Sequence, residues 1–426
     1  MNIGIDIRTL MDRQYSGVSE YTLNLVREIL KQDRINEYRL FYNSGRDVRE
    51  RIEKNLFAGK LQELSSEASE LSSKQGKVKI INTRYPNKIF NWPMQKILKW
   101  PKVDKLLGKE NGIASSLPLD KLGVAPRNDK GVEIFYCPNI VPIAMSKNCK
   151  KVITIHDLSF LLYPEFFDAK RRWWHRAINA KKLLKRFDVV AAVSENTKND
   201  IIELCGIDEK KVKVIYSGVG EEFQMTNDEM RMTNKIKAVV EKYSLPEKFI
   251  LFLGTLEPRK NVAGLIEAYN LFRDENKALA DIKLVIAGGR GWKSEDIFLS
   301  WKKSKYKDDI KFLGYVEPGE KACLYNLAEV FVFPSFYEGF GFPPLEAMAS
   351  GVPVITCFSS SLGEVAGEAA LLVDPYNIRE IARAIKSAVT DEALRSRLRE
   401  RGLKQAKKFN WQKTVRGYLD IFSGLN

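Results

Sequence analysis

Two carboxylates and two cations stand in glycine- and proline-punctuated stretches of this sequence. YEGFGFPPLEAMASG, residues 337–351, sets Glu338 and Glu346 on either side of a bend made of Gly339, Gly341, Pro343 and Pro344. GTLEPRKN, residues 254–261, sets Arg259 beside Lys260. A guanidinium grips two oxygens through its planar fork and an ammonium acts as a point charge, a pairing suited to two neighbouring phosphates. Carboxylates repel phosphate and accept hydrogen bonds, so Glu338 and Glu346 match hydroxyl groups instead. Taken alone, each stretch also reads as a solvated surface turn.

These side chains need elements to hold them. The β-branched and aromatic run EVFVFPS precedes the first stretch, and prolines suit a first helical turn, so a helix should begin near Pro343. Glu346 then lies near the helix start and Glu338 on the loop before it. Likewise GTLEPRKN follows the strand FILFL and precedes the helix NVAGLIEAY, with Asn261 as its N-cap. Loops leaving the carboxyl ends of parallel strands form the ligand crevice, and a helix start there offers N–H groups to an anion. Gly339 and Gly341 would let the backbone approach that anion. A nucleotide sugar has all the matching parts: a diphosphate between two hydroxyl-rich rings, the ribose for Glu346 and the transferred sugar for Glu338.

Strand-like runs alternate with amphipathic stretches along most of the chain. NIGIDI, KVITI, DVVAAVS and KVKVIYSG read as strands in the first half, and SEYTLNLVREIL and TKNDIIELCG as helices. FILFLG begins the alternation afresh, followed by IKLVIAGG, IKFLG and VFVFPS. Such alternation implies α/β architecture with parallel sheets covered on both faces. The expectation is two Rossmann-like doubly wound domains, 1–218 and 219–410. A final helix, 411–426, carries a stripe of Trp411, Val415, Tyr418, Leu419 and Phe422 and should pack back on the first domain. Residues 44–130 break the rhythm. Within them 87–107 interleaves Phe90, Met94, Ile97, Leu98 and Pro101 with lysines, as either a membrane-interfacial element or irregular core packing.

The chain of 426 residues carries a net charge of +15, which favours anionic partners without choosing among phosphorylated small molecules, acidic membranes and nucleic acid. No nucleic-acid motif accompanies the charge, so nucleic acid is not an expected partner. The five cysteines form no CxxC, the two histidines leave little for an imidazole metal site, and no Asp-x-Asp occurs. Arg259 and Lys260 would then neutralise a leaving diphosphate with no metal and no cofactor. MNIGIDIRTL has Asp6 and Arg8 where a signal core would be apolar, and no run approaches the roughly 18 apolar residues of a membrane span. The expected location is cytoplasmic, peripheral on the inner face of the membrane if 87–107 is interfacial.

SGVSEY, ITIHDLSFLLYPE, VSENTKNDI, KVIYSGV, GTLEPRKN, Glu338-GFGFPPL-Glu346 and SLGEVAGEAALLVDP occur in that order. Together they resemble the retaining GT-B glycosyltransferases with an E-x7-E signature, group 1 or family 4, and look most like bacterial mannosyltransferases; the resemblance implies an acceptor-binding domain, 1–218, and a nucleotide-sugar-binding domain, 219–410, facing a central cleft. The resemblance implies that Arg259 and Lys260 bind the donor diphosphate, Glu338 the sugar hydroxyls and Glu346 the ribose. The backbone of Phe340, Gly341 and Phe342 would lie along the sugar and phosphate. Gly17 would form the glycine loop beneath the diphosphate from the opposite domain, with Ser16 where many relatives have another glycine. His156 would face the donor sugar through its side chain or carbonyl, although beside Asp157 it also reads as a satisfied turn histidine. The implied activity is retaining hexosyl transfer of the EC 2.4.1 type, from GDP-mannose to a glycan or lipid-linked glycan in cell-surface polysaccharide synthesis. A UDP-glucose-type donor and a non-catalytic nucleotide-sugar or glycan binder are the alternatives.

Overall fold

The computed structural model describes residues 1–12, 14–46, 48–57, 78–84, 95, 99–107, 131–224 and 234–425. Strands β1 (Asn2–Asp6), β2 (Glu37–Tyr42), β3 (Val78–Asn82), β4 (Ile134–Cys137), β5 (Lys150–Ile155), β6 (Val189–Ala192) and β7 (Val212–Val214) form one sheet. Strands β8 (Lys248–Leu253), β9 (Ile282–Ala287), β10 (Ile310–Gly314), β11 (Val330–Phe333), β12 (Val354–Cys357) and β13 (Leu371–Val373) form the other. The orders are β3-β2-β1-β4-β5-β6-β7 and β10-β9-β8-β11-β12-β13, and neighbouring strands in both sheets run parallel. The central strands are continuously buried, β11 throughout and β8 from Phe249 onward, as sheets covered on both faces require. The architecture is α/β, with two Rossmann-like lobes.

In each sheet the strand order reverses once, between β1 and β4 and between β8 and β11. Loops diverge at such a point and leave a crevice beyond the carboxyl ends of the strands. The loop after β8 contains Arg259 and Lys260, and the loop after β11 contains Glu338. Across from them, β1 leads into the helix Gly17–Gln32 and β5 leads directly into His156.

The first lobe has a hydrophobic cluster on each face of its sheet. One of these includes Trp411, Val415, Tyr418 and Phe422 of the helix Trp411–Gly424. Inside it the Tyr418 hydroxyl lies 2.6 Å from both the Tyr21 hydroxyl and Thr154 Oγ1. A single larger cluster fills the second lobe.

The irregular stretch 44–130 nevertheless contributes the helix Arg49–Phe57 and strand β3, which extends the first sheet at its edge. Short elements embedded in polar sequence lack the periodicity that would reveal them. Most of the 87–107 segment, including Phe90, Met94, Ile97 and Leu98, lies outside the described residues. Of its described residues some enter the core, while Trp100 is 48% exposed. Gln95 is fully buried, donating to the Pro101 carbonyl and accepting from Ala144 N–H, while Val103 and Leu107 sit in the first lobe's interior. Among the described residues no helix is long and apolar enough to cross a membrane.

Candidate functional site

Glu338 is buried at the centre of an ionic cluster. Its Oε2 accepts from Arg259 Nη1 at 2.9 Å, and its Oε1 accepts from Lys260 Nζ at 2.5 Å and from the Ser335 hydroxyl at 2.7 Å. Arg259 is clamped further, donating to Glu257 Oε1 at 2.8 Å and to the Tyr337 carbonyl at 2.7 Å. Lys260 Nζ also lies 4.9 Å from the centre of the Phe333 ring. Two cations and two carboxylates thus cancel in charge, the condition under which a buried ionic group is tolerable.

Burial alone would raise the proton affinity of Glu338, but Arg259 and Lys260 outweigh it and bring the carboxyl down to about 2. Burial works against the charged form of Arg259, yet Glu338 and Glu257 overcome it and its pKa stands above the usual guanidinium value. For Lys260 burial prevails: its pKa falls, with Glu338 pulling upward and Arg259 adding to the decrease.

The loop continues from Glu338 into the helix Phe342–Ala349, one residue before the expected start. Gly341 has φ +106°, a conformation suited to glycine. The Phe340 side chain is turned into the second lobe's core, against Phe342 and Phe409. Gly339 touches the other lobe, where a Cβ would come within 1.6 Å of the His156 carbonyl oxygen. The Gly339 carbonyl accepts from Ser194 Oγ at 2.7 Å and Thr197 Oγ1 at 3.1 Å. His156 is therefore joined to this loop by its backbone. Its ring Nε2 lies 2.8 Å from the Pro138 carbonyl and its ring stands nearly perpendicular to that of Tyr21, 4.6 Å between centres, and burial lowers its pKa.

Glu346 belongs to a second cluster. Its Oε2 accepts from the Tyr325 hydroxyl at 2.9 Å, and Oε1 is 3.9 Å from Lys321 Nζ. Burial pushes Glu346 up to about 7, with Lys321 opposing and Glu20 reinforcing the rise. Glu20 lies on the helix that Gly17 opens. Gly17 has nothing within 4 Å of the place a Cβ would occupy, so its backbone faces open space.

Arg259, Lys260 and Glu338 are thus brought into direct contact, His156 adjoins them through Gly339, and Glu346 makes its contacts in the second cluster. Pattern reading passed over Glu257, Ser335, Lys321, Tyr325 and Glu20 as functional side chains. Glu257 and Ser335 lie within three residues of the motif charges, the one local signal that marked them. Asn261 also differs from its expected role: it stands before the helix Val262–Glu275 with φ +54°, makes no capping bond, and donates instead to the Pro375 carbonyl. Among the described residues no cluster of three or more His, Cys, Asp or Glu could hold a metal ion.

Comparison with known proteins places family signatures on both lobes. The model for glycosyl transferases group 1 matches residues 234–405, and that for glycosyltransferase family 4 matches residues 132–223. The O-antigen chain mannosyltransferase B of Escherichia coli is 28% identical over 399 residues, 93% of each protein. The serotype-specific mannosyltransferase WbdA of Escherichia coli is 33% identical over 276 residues, 65% of this chain. That alignment spans 34% of WbdA, about a third of its length. The crystal structure of Anabaena Alr3699/HepE in complex with UDP and glucose superimposes with a TM-score of 0.65 at 15% identity, covering 100% of both chains, a likeness of fold. With its paired parallel sheets the chain has the GT-B fold, and by its two matched lobes and its mannosyltransferase relatives it is similar to the group 1 and family 4 glycosyltransferases.

Proposed function

We propose that the chain is a retaining, metal-independent hexosyltransferase that moves mannose from GDP-mannose to a glycan or lipid-linked glycan in polysaccharide synthesis. The observation that carries this reading is the convergence of Arg259 and Lys260 on Glu338 at the second lobe's strand-order reversal. An arriving donor diphosphate redirects the two cations toward its oxygens and releases Glu338 to accept hydroxyls of the adjoining sugar. Glu346 takes the ribose hydroxyls, the exposed backbone at Gly17 approaches the diphosphate from the opposite lobe, and His156 positions the sugar from behind Gly339. Relatives named as O-antigen mannosyltransferases support mannose as the sugar.

In the transfer step the sugar C1–O bond to the diphosphate breaks and both electrons leave with the phosphate oxygen. The acceptor hydroxyl oxygen bonds C1 from the same face, and its proton passes to the departing phosphate. Preorganised cations stabilise the negative charge that develops on the leaving group, where catalysis gains most. The test is release of GDP from GDP-mannose by the purified protein, alongside UDP-glucose. GDP release that disappears in Arg259→Ala supports the reading; turnover of UDP-glucose alone overturns the donor, and tight nucleotide-sugar binding without turnover on any acceptor overturns the enzyme.

A further inference from the structure

A cavity of about 550 Å³, within the size range of small-molecule sites, has Arg259 in its lining and is walled largely by the first lobe. Arg259 therefore belongs both to the ionic cluster and to this cavity, so whatever occupies it lies next to the leaving-group cations. Its walls are strongly aromatic. Trp292 enters from the second lobe, stacks on Phe167 at 5.6 Å, and is fixed by its Nε1 donating to the Phe166 carbonyl at 2.8 Å. Opposite, His175 stacks on Phe160 at 4.2 Å, and burial lowers its pKa, favouring a neutral ring.

Two further lining side chains lie at the surface. Trp173 is 60% exposed and Trp174 38%, on the helix Ala169–Ile178. Neighbouring exposed indoles lining an aromatic cavity mark a recognition surface, because contiguous exposed aromatic area is a feature of binding faces. One carboxylate completes the lining. Asp157 Oδ1 accepts from Ser159 N–H at 2.9 Å and Ser159 Oγ at 2.6 Å, which leaves Oδ2 without a protein partner among the described residues.

Aromatic faces together with a carboxylate oxygen are complementary to a neutral sugar ring, whose C–H face packs on indole and whose hydroxyls donate to carboxylate. Lys170 and Arg171 also line the cavity, the latter paired with Asp168 and lying 4.3 Å from the centre of the Trp292 ring. We propose that this cavity binds the non-reducing end of a neutral saccharide acceptor, stacked on Trp173 and Trp174, with a hydroxyl held by Asp157 Oδ2 next to Arg259. The assignment rests on the hexosyl-transfer reading and names the class of acceptor for it.

Saturation-transfer NMR with a panel of mannobiose, mannotriose, maltose and cellobiose tests it. The unsubstituted protein should bind at least one of these saccharides. Trp173→Ala with Trp174→Ala should weaken that binding at least tenfold, as should Asp157→Asn, with circular dichroism melts confirming that each variant folds. Trp173→Phe should restore part of the loss, since a phenyl ring still stacks. No binding by any member of the panel, or undiminished binding by the double variant, overturns the assignment. So does loss of affinity for phosphatidylglycerol vesicles in the double variant with saccharide binding intact, which would give the indoles to a membrane surface. GDP-mannose hydrolysis is followed in parallel: its absence beside intact, indole-dependent saccharide binding defeats the transfer reading while supporting the cavity's role.

Discussion

The Lys321 ammonium in the second lobe lies 2.7 Å from the Glu20 carboxylate in the first, and that one contact ties the titration of Glu346 to the approach of the lobes. Glu346 is raised from an ordinary value of 4.5 to about 7 by burial, against the pull of Lys321. A carboxyl whose folded pKa is raised contributes stability that is complete below about 4.5 and lost as pH rises through about 7. Glu346→Gln should abolish this inflection in melting temperature measured across neutral pH. Glu20→Gln removes a neighbouring negative charge, so Glu346 should titrate lower, and the loss, still starting near 4.5, should be smaller and complete at a lower pH. An inflection unchanged in Glu346→Gln would assign it to another group.

Glu338 behaves in the opposite sense. Its folded pKa of about 2 lies below the ordinary 4.5, so its contribution is present above about 4.5 and lost as pH falls through about 2. Glu338→Ala leaves Arg259 and Lys260, both nearly buried, with one anion fewer. Removing one partner of a buried pair costs about 3–5 kcal/mol, a figure to be checked by urea unfolding. Transfer should fall by orders of magnitude while the variant remains folded; unaltered turnover would remove Glu338 from the site.

Arg259→Ala and Lys260→Ala should each reduce kcat by about 10²–10³, the usual effect of deleting one preorganised group that stabilises developing charge. Single-turnover kinetics with saturating donor measure this directly. A rise in KM with unaltered kcat would show that the pair binds substrate and transition state equally.

Gly17 and Gly339 separate local space from lobe packing. A Cβ at Gly339 would press on the His156 carbonyl at 1.6 Å, so Gly339→Ala should lower both melting temperature and turnover. At Gly17 nothing lies within 4 Å, so Gly17→Ala should melt like the parent protein while its donor affinity falls. Equal donor affinity, measured by calorimetry, would remove Gly17 from the donor site.

Transfer should survive EDTA, because Arg259 and Lys260 supply the positive charge. Strong inhibition that magnesium reverses would overturn the metal-free reading.

Much of this arrangement is legible from local pattern. The loops carrying Arg259, Lys260 and Glu338 are recognisable because each follows a β-branched or aromatic strand and precedes a helix, and the helix Phe342–Ala349 begins where its prolines allow. What the pattern omits is pairing across sequence distance. Lys260 and Glu338 are 78 residues apart and Lys321 and Glu20 are 301 apart, and their meeting depends on strand order and lobe placement. Hydrophobic periodicity identifies a buried face without naming the neighbour it is buried against. Hence nothing local singles out Lys321, and Asn261 reads as a cap, until the chain is folded.

The Tyr418–Tyr21 bond has a consequence for biosynthesis, since the two residues are 397 positions apart. The amino-terminal lobe leaves the ribosome early, with one wall of its interior still missing. That wall arrives only after the entire second lobe has been translated. Until then the lobe exposes a strip of apolar surface around Tyr21 and Tyr136, a transient vulnerability that chaperones would have to shield.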